Sequence, residues 1–238
     1  MAEDLFADPG RLHAEGRAAR VALETAREQV AALVDARPRE VVFTASGTEA
    51  IAMAIRGTVA KTPGHVVTTA VEHSAVRETI EALDVECTNV PVDGLGRYEA
   101  AAVEAAMRPD TVLVSVQLAN HEVGTVQPAA DVCARTRSRG VLTHVDACAA
   151  IGHMPMSFAA LGTDLCSVTA HKWGGPRGAG ALLVRRGLRI PPLILGGAQE
   201  RARRAGIEDV AAWRGFGAAC AAVDVEAEAG TQRALITR

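Results

Sequence analysis

Lysine is almost missing from this 238-residue chain: of 25 basic residues only Lys61 and Lys172 are lysine, and the rest are arginine. A positive surplus is missing too, because 28 acidic residues bring the net charge to -3 and the arginines are scattered. This excludes the electrostatic footprint of a nucleic-acid or anionic-membrane binder, but leaves room for a small anionic ligand. Although 49% of residues are hydrophobic, no apolar run approaches the roughly 18 residues of a membrane span. The opening MAEDLFADPG is acidic where a secretory leader is basic and then apolar, so a cytoplasmic location is expected. The five cysteines are odd in number, widely spaced and form no C-x-x-C pair, which argues against a disulfide framework or a metal site. Aromatics make up only 3% of the chain and carry little functional information.

What is present is an alternation. RLHAEGRAARVALETAREQVAALVDARP spaces its apolar residues at three and four and stops before Pro38, the pattern of an amphipathic helix. Short valine-rich runs then follow at 41–44, 65–69, 85–90, 111–117, 141–145, 164–168 and 179–184, most of them separated by helical segments. Seven such strands with intervening helices predict an α/β fold with a mostly parallel sheet covered on both faces. From 191 the pattern changes: PPLILGGAQERARRAG reads as loop, and 208–229 as one long helix.

In parallel sheets ligands bind beyond the carboxyl ends of the strands. Five of the seven predicted strand ends carry polar residues there: SGTEA (46–50), EHSA (72–75), NHEVG (120–124), DACAA (146–150) and TAHKWGG (169–175). The lysine in the last of these stands out against the arginine bias. Arginine keeps its proton in a protein, whereas lysine can act as a neutral amine and attack a carbonyl. Lys172 is thus either a nucleophile for an aldehyde cofactor or a solvated loop cation. Pyridoxal phosphate would need a phosphate cradle, a carboxylate for its pyridine nitrogen and a flat group on its ring. The turn at Gly47 and Thr48 offers backbone N–H groups and a hydroxyl at a helix N-terminus, or else an ordinary N-cap. Asp146 offers the carboxylate, or caps the next helix. His73 offers the flat ring, or merely hydrogen-bonds its surroundings.

Taken in order, PREVVFTASGTEA, VEHSAV, DTVLVSVQLANHEVGTVQP, THVDACAAIGHMP, DLCSVTAHKWGGPRGAGALLVRRG and GGAQERARRAG resemble the class V aminotransferase family of fold-type I pyridoxal phosphate enzymes, and within it the cysteine desulfurase and selenocysteine lyase group. The resemblance runs from about Phe6 to about Ala222. It implies pyridoxal 5'-phosphate as cofactor, held covalently by Lys172, which would also move the proton at the substrate's α-carbon. Asp146 would keep the ring nitrogen protonated, and His73 would stack on the ring and act with Lys172 in catalysis by assisting proton transfer. Gly47, Thr48, Thr169 and His171 would hold the phosphate. The implied reaction converts L-cysteine to L-alanine with transfer of sulfur to an acceptor protein, as in sulfur metabolism and iron–sulfur cluster assembly. An aminotransferase or C–S β-lyase is the alternative, and a catalytically incomplete or split-subunit homologue another. A homodimer is implied, with the 120–125 and 196–207 loops at its interface.

The sequence also departs from the family pattern. An asparagine near the ring hydroxyl is His121, a glutamine three residues after the aspartate is Ala149, and a threonine reaching toward the partner subunit is Ile207. Relatives also carry an N-terminal arm and a C-terminal small domain, whose cysteine loop matches none of the five cysteines here. On this reading 1–207 form the cofactor-binding large domain, and 208–238 a helix that would lead into the small domain.

Overall fold

The computed structural model describes residues 7–236. The amphipathic segment folds as α1 (Ala14–Leu33), with Ala19, Leu23, Ala26 and Val30 on its buried stripe and His13 as its N-cap. A single 3-10 turn at Pro38–Glu40 leads into β1 (Val41–Thr44). Then come α2 (Gly47–Lys61), β2 (His65–Thr69), α3 (Ser74–Glu81), β3 (Cys87–Val90) and α4 (Ala100–Ala106). They are followed by β4 (Thr111–Gln117), α5 (Ala129–Ser138), β5 (Leu142–Asp146), α6 (Phe158–Leu161), β6 (Leu165–Thr169) and β7 (Gly180–Val184). All seven predicted strands form, each within two residues of its expected bounds.

They make one sheet in the order β1-β7-β6-β5-β4-β2-β3. β7 pairs antiparallel with both neighbours, while the remaining pairings are parallel, so six strands run one way and end on a common edge. Both faces are covered, which is why the strands read as almost unbroken apolar runs. One face buries Phe43, Val67, Val114, Val116, Val145 and Val168 against the helices that include α1. The other buries Val66, Leu113, Leu165 and Leu182 against Ile51, Met53 and Ile55 of α2.

Beyond β7 the chain is loop as expected, apart from the short α7 (Gln199–Ala202), in which Glu200, Arg201 and Ala202 all take left-handed φ values of 48°, 60° and 59°. Three such residues in succession are strained. Glu200 holds them, since its buried carboxylate accepts two hydrogen bonds from the Arg27 guanidinium, at 2.6 and 2.7 Å, and one from the Phe43 amide at 2.8 Å.

The single helix expected over 208–229 is instead two, α8 (Val210–Ala222) and α9 (Val225–Ile236). Val223 leaves the helical region at ψ 132°, and Asp224 caps the new start by accepting the Ala227 amide at 3.0 Å. The alanine-rich sequence on either side gives no break in periodicity, so the aspartate passes for a helix interior. α8 belongs to the main core: Trp213 stacks on Phe43 at 4.9 Å and donates its indole N–H to the Thr44 carbonyl. Among the described residues no helix is long and apolar enough to cross a membrane.

Candidate active site

The common edge of the six strands carries a cleft of about 170 Å³. Every residue singled out in the sequence lines it: Gly47, Thr48, His73, Asp146, Thr169, His171 and Lys172. Chain segments as far apart as 47 and 172 meet because β1, β2, β5 and β6 all deliver their following loops to one edge. Lys61 ends α2 and is exposed, away from the cleft, so of the two lysines only Lys172 meets these groups.

At the start of α2 the cap is Ser46, whose Oγ accepts the Glu49 amide at 3.1 Å while its carbonyl accepts that of Ala50. Thr48 was the sequence's candidate for either a cap or a ligand. Since Ser46 caps, the Thr48 hydroxyl and the Gly47 and Thr48 amides lie outside that set, on residues facing the cleft. An anion is favoured there by the helix dipole and the amide donors. Gly47 is required by a close approach, because a Cβ at that position would lie 2.5 Å from Cys148 Sγ.

Asp146 ends β5, buried to 6% exposure, and its Oδ1 accepts the Cys148 amide at 2.9 Å. Below it, two residues back along the strand, His144 bridges Ser115 Oγ and Ser167 Oγ at 2.8 Å each. Burial pushes the His144 pKa down to about 4, so the bridge is made by a neutral imidazole. The floor of the cleft is thus a polar stripe across β4, β5 and β6 on an otherwise apolar face.

His73 is both of the things the sequence allowed. It is the N-cap of α3, its Nδ1 accepting the Ala75 amide at 3.0 Å, and it lines the cleft. That bond leaves the proton on Nε2. Burial lowers its pKa, Asp146 pulls the other way, and nearby Lys172 adds to the lowering, so the ring is neutral at neutral pH. The His121 ring lies 5.6 Å away, tilted by 58°.

Lys172 sits in the 170–179 turn between β6 and β7. That turn is closed by Ala170 N–H to Ala179 O at 3.1 Å, by the Trp173 indole to Thr169 O at 2.9 Å, and by His153 Nε2 to the Lys172 carbonyl at 3.0 Å. Thr169 Oγ1 and His171 Nδ1 are 2.9 Å apart, on the side of the cleft nearest α2. The cleft is also lined by Ser46, Ile51, Gln117, Ala119 and Cys148, and by His121 and Ala149, two of the positions that depart from the family pattern. Beside the cleft Glu72 is buried, accepting from Thr69 Oγ1 at 2.6 Å and the Gln117 amide at 3.0 Å, and burial raises its pKa to about 8.

A family model described as aminotransferase class V matches residues 4–235. The chain belongs to the class V aminotransferase family. Family members use pyridoxal phosphate, and the cleft fits that cofactor: an anion cradle at α2, a buried carboxylate, a flat neutral imidazole and an amine border one space. This class V chain is 41% identical to the cysteine desulfurase IscS of Dictyoglomus turgidum over 223 residues, which is 91% of the chain and 57% of that protein. It is 41% identical to a putative cysteine desulfurase of Bacillus subtilis, covering 86% of the chain and 56% of the relative. A solved NifS-like protein superposes with a TM-score of 0.91 at 35% identity, over 97% of this chain and 65% of that one. A structure of SspA in complex with cysteine superposes at 0.90 and 32% identity, over 98% and 70%. The chain spans a little over half the length of the curated relatives named.

Proposed function

We propose that this class V protein acts on a cysteine-like amino acid, removing its sulfur to leave alanine. The observation that carries this reading is the convergence of Lys172, Asp146 and His73 on one cleft beside the α2 N-terminus. The 41% identity to named cysteine desulfurases supports the substrate class. When bound, pyridoxal phosphate supplies an electron sink for charge developing at the substrate's α-carbon.

The protein's own residues would do the following. Gly47 and Thr48 amides, with Thr48, Thr169 and His171, bind the phosphate and fix the ring's depth. Asp146, held by the Cys148 amide, keeps a proton on the ring nitrogen. His73 covers the ring, and its neutral imidazole is in the right state to accept a substrate proton. Lys172 holds the cofactor and then carries a proton at the α-carbon. Residues 1–207 act as the cofactor-binding domain, with α8 packed into the same core. The exposed Leu195 and Ile207 in the 193–207 segment provide apolar surface for a second copy of the chain, and the place of action is the cytoplasm.

The cysteines bear on where the sulfur goes. Burial raises the pKa of all five: Cys133 to about 12, Cys148 and Cys166 well above the ordinary value, with Cys87 and Cys220 raised also. A thiol rather than a thiolate is a poor nucleophile. None of these five thiols therefore fits the sulfur-accepting nucleophile of the proposed reaction, which a thiol outside them would supply.

The test is a visible spectrum of the protein with added pyridoxal phosphate, followed by borohydride reduction and peptide mapping. A reduced adduct at Lys172 that is lost in Lys172→Ala is expected; a colourless protein, or an adduct at Lys61, sinks the cofactor assignment. Incubation with L-cysteine then separates the chemistries, since alanine marks desulfuration and pyruvate with ammonia marks β-elimination.

A further inference from the structure

One polar lining residue outside the assignment above has an unfilled hydrogen-bonding group. Gln117, the last residue of β4, is 2% exposed and lines the cleft, yet its side-chain amide nitrogen has no hydrogen-bond partner among the described residues. A buried amide without a partner has given up its hydrogen bond to water for nothing, which points to a ligand that completes it. Neighbouring carboxamides are spent differently. Asn120 Oδ1 accepts the Glu122 and Val123 amides, and Gln127 accepts from Tyr98 N–H and donates to the Gly96 carbonyl. Among the described residues of the cleft, Gln117 is the one carboxamide.

Its position says which atom of the ligand it meets. Gln117 is in register with Asp146 on the adjacent parallel strand, so both side chains rise from the same face. On the far side of Asp146 lie β6, with Thr169 and His171 above it, and the start of α2. Phosphate, ring nitrogen and Gln117 are therefore laid out across β6, β5 and β4 in that order. In pyridoxal phosphate the phosphate arm and the ring oxygen leave opposite flanks of the axis from the ring nitrogen to the aldehyde carbon. With the phosphate on the β6 flank and the nitrogen at Asp146, the oxygen faces β4.

We propose that Gln117 is a cofactor-binding residue that donates its side-chain amide to the ring oxygen. It does so where Ala149, also lining the cleft, offers no polar group. This rests on the pyridoxal phosphate assignment. The donor stabilises negative charge on the oxygen, and so lowers the pH at which the visible absorption of the loaded protein changes.

The experiment titrates that absorption in the loaded wild-type protein, in Gln117→Met, which keeps the volume without the donor, and in Gln117→Met/Ala149→Gln. Loss of one hydrogen bond to a charged atom should raise the Gln117→Met midpoint by about one pH unit. Restoring an amide at 149 should bring it back. An unchanged midpoint in Gln117→Met overturns the inference. So does a loss of cofactor loading that Ala149→Gln does not restore, which would make Gln117 a packing residue of the cleft floor. A wild-type protein that forms the Lys172 adduct while Gln117→Met titrates normally sinks this proposal alone; absence of the adduct sinks the cofactor assignment beneath it.

Discussion

Glu72 gives a stability experiment that needs no ligand. Its carboxyl group is buried, 3% exposed, with one oxygen accepting two hydrogen bonds and the other partnerless among the described residues. Burial raises its pKa from 4.5 to about 8, so the folded protein holds a proton that the unfolded chain has released. A carboxyl group whose folded pKa is raised makes folding less favourable as pH climbs from the unfolded value toward the folded one. By pH 7 the gap is about 2.5 units, or about 3 kcal/mol, and at pH 8 it reaches about 4 kcal/mol. Glu72→Gln presents the same shape with no proton to hold. The variant should match the wild type below pH 4.5 and then gain on it by about 1.4 kcal/mol per unit between pH 5.5 and 7, with the gain levelling off toward pH 8 and above. Urea unfolding at pH 5, 6, 7 and 8, followed through Trp173 and Trp213 fluorescence, measures the difference directly. A difference between the two proteins that does not change with pH would mean Glu72 is already ionised in the folded state, and the reasoning fails.

Gly47→Ala forces a methyl to within 2.5 Å of Cys148 Sγ and should cost about 1–3 kcal/mol; a double-mutant cycle with Cys148→Ala should recover most of this, and additive effects would refute the contact. Breaking the Arg27–Glu200 pair with Glu200→Ala leaves the buried guanidinium with only the half-buried Glu24 as counter-charge and should cost about 3 kcal/mol in chemical denaturation. Arg27→Met/Glu200→Gln should be less damaging than Glu200→Ala alone. His144, depressed to about 4, works against acid: its contribution is fully present above the ordinary value of 6.5 and is lost as pH falls toward 4. His144→Gln, which keeps a hydrogen-bonding group between Ser115 and Ser167, should flatten the acid limb of wild-type stability; an unchanged limb would refute the assignment.

The strands were legible because burial on both faces leaves a plain signature: VVFT, HVVTT and TVLVSVQ carry hardly a charge, and glycine, proline or helical periodicity brackets them. The site was legible for a topological reason, since parallel strands send their following loops to one edge and the chemistry-bearing residues sit just past strand ends. What escaped was polar chemistry inside the strands. Ser115 and Gln117 alternate with Val114 and Val116, as His144 and Asp146 alternate with Val145. That two-residue period on adjacent strands was the available sign of a polar stripe, hidden because each run still reads as apolar overall. The helix break at Asp224 escaped because a capping aspartate and an interior one look alike in alanine-rich sequence. That Ser46 rather than Thr48 is the cap rests on the extended backbone of Ser46, φ -169° and ψ 166°, which composition does not reveal.

The reversal of β7 has a mechanical consequence. Had that strand run with the others, the chain after β6 would have needed a long crossover, and the two ends of the connector carrying Lys172 would have met the sheet at opposite edges. Instead the stems of residues 170–179 are zipped together by the β6–β7 ladder from Thr169 and Gly180 downward. Gly180 itself is pressed so close to Ser46 that a side chain there would overlap its backbone. The Lys172 backbone is thus mounted on a hairpin clamped against the mouth of α2, so reach toward the anion cradle is left to rotation of the side chain alone.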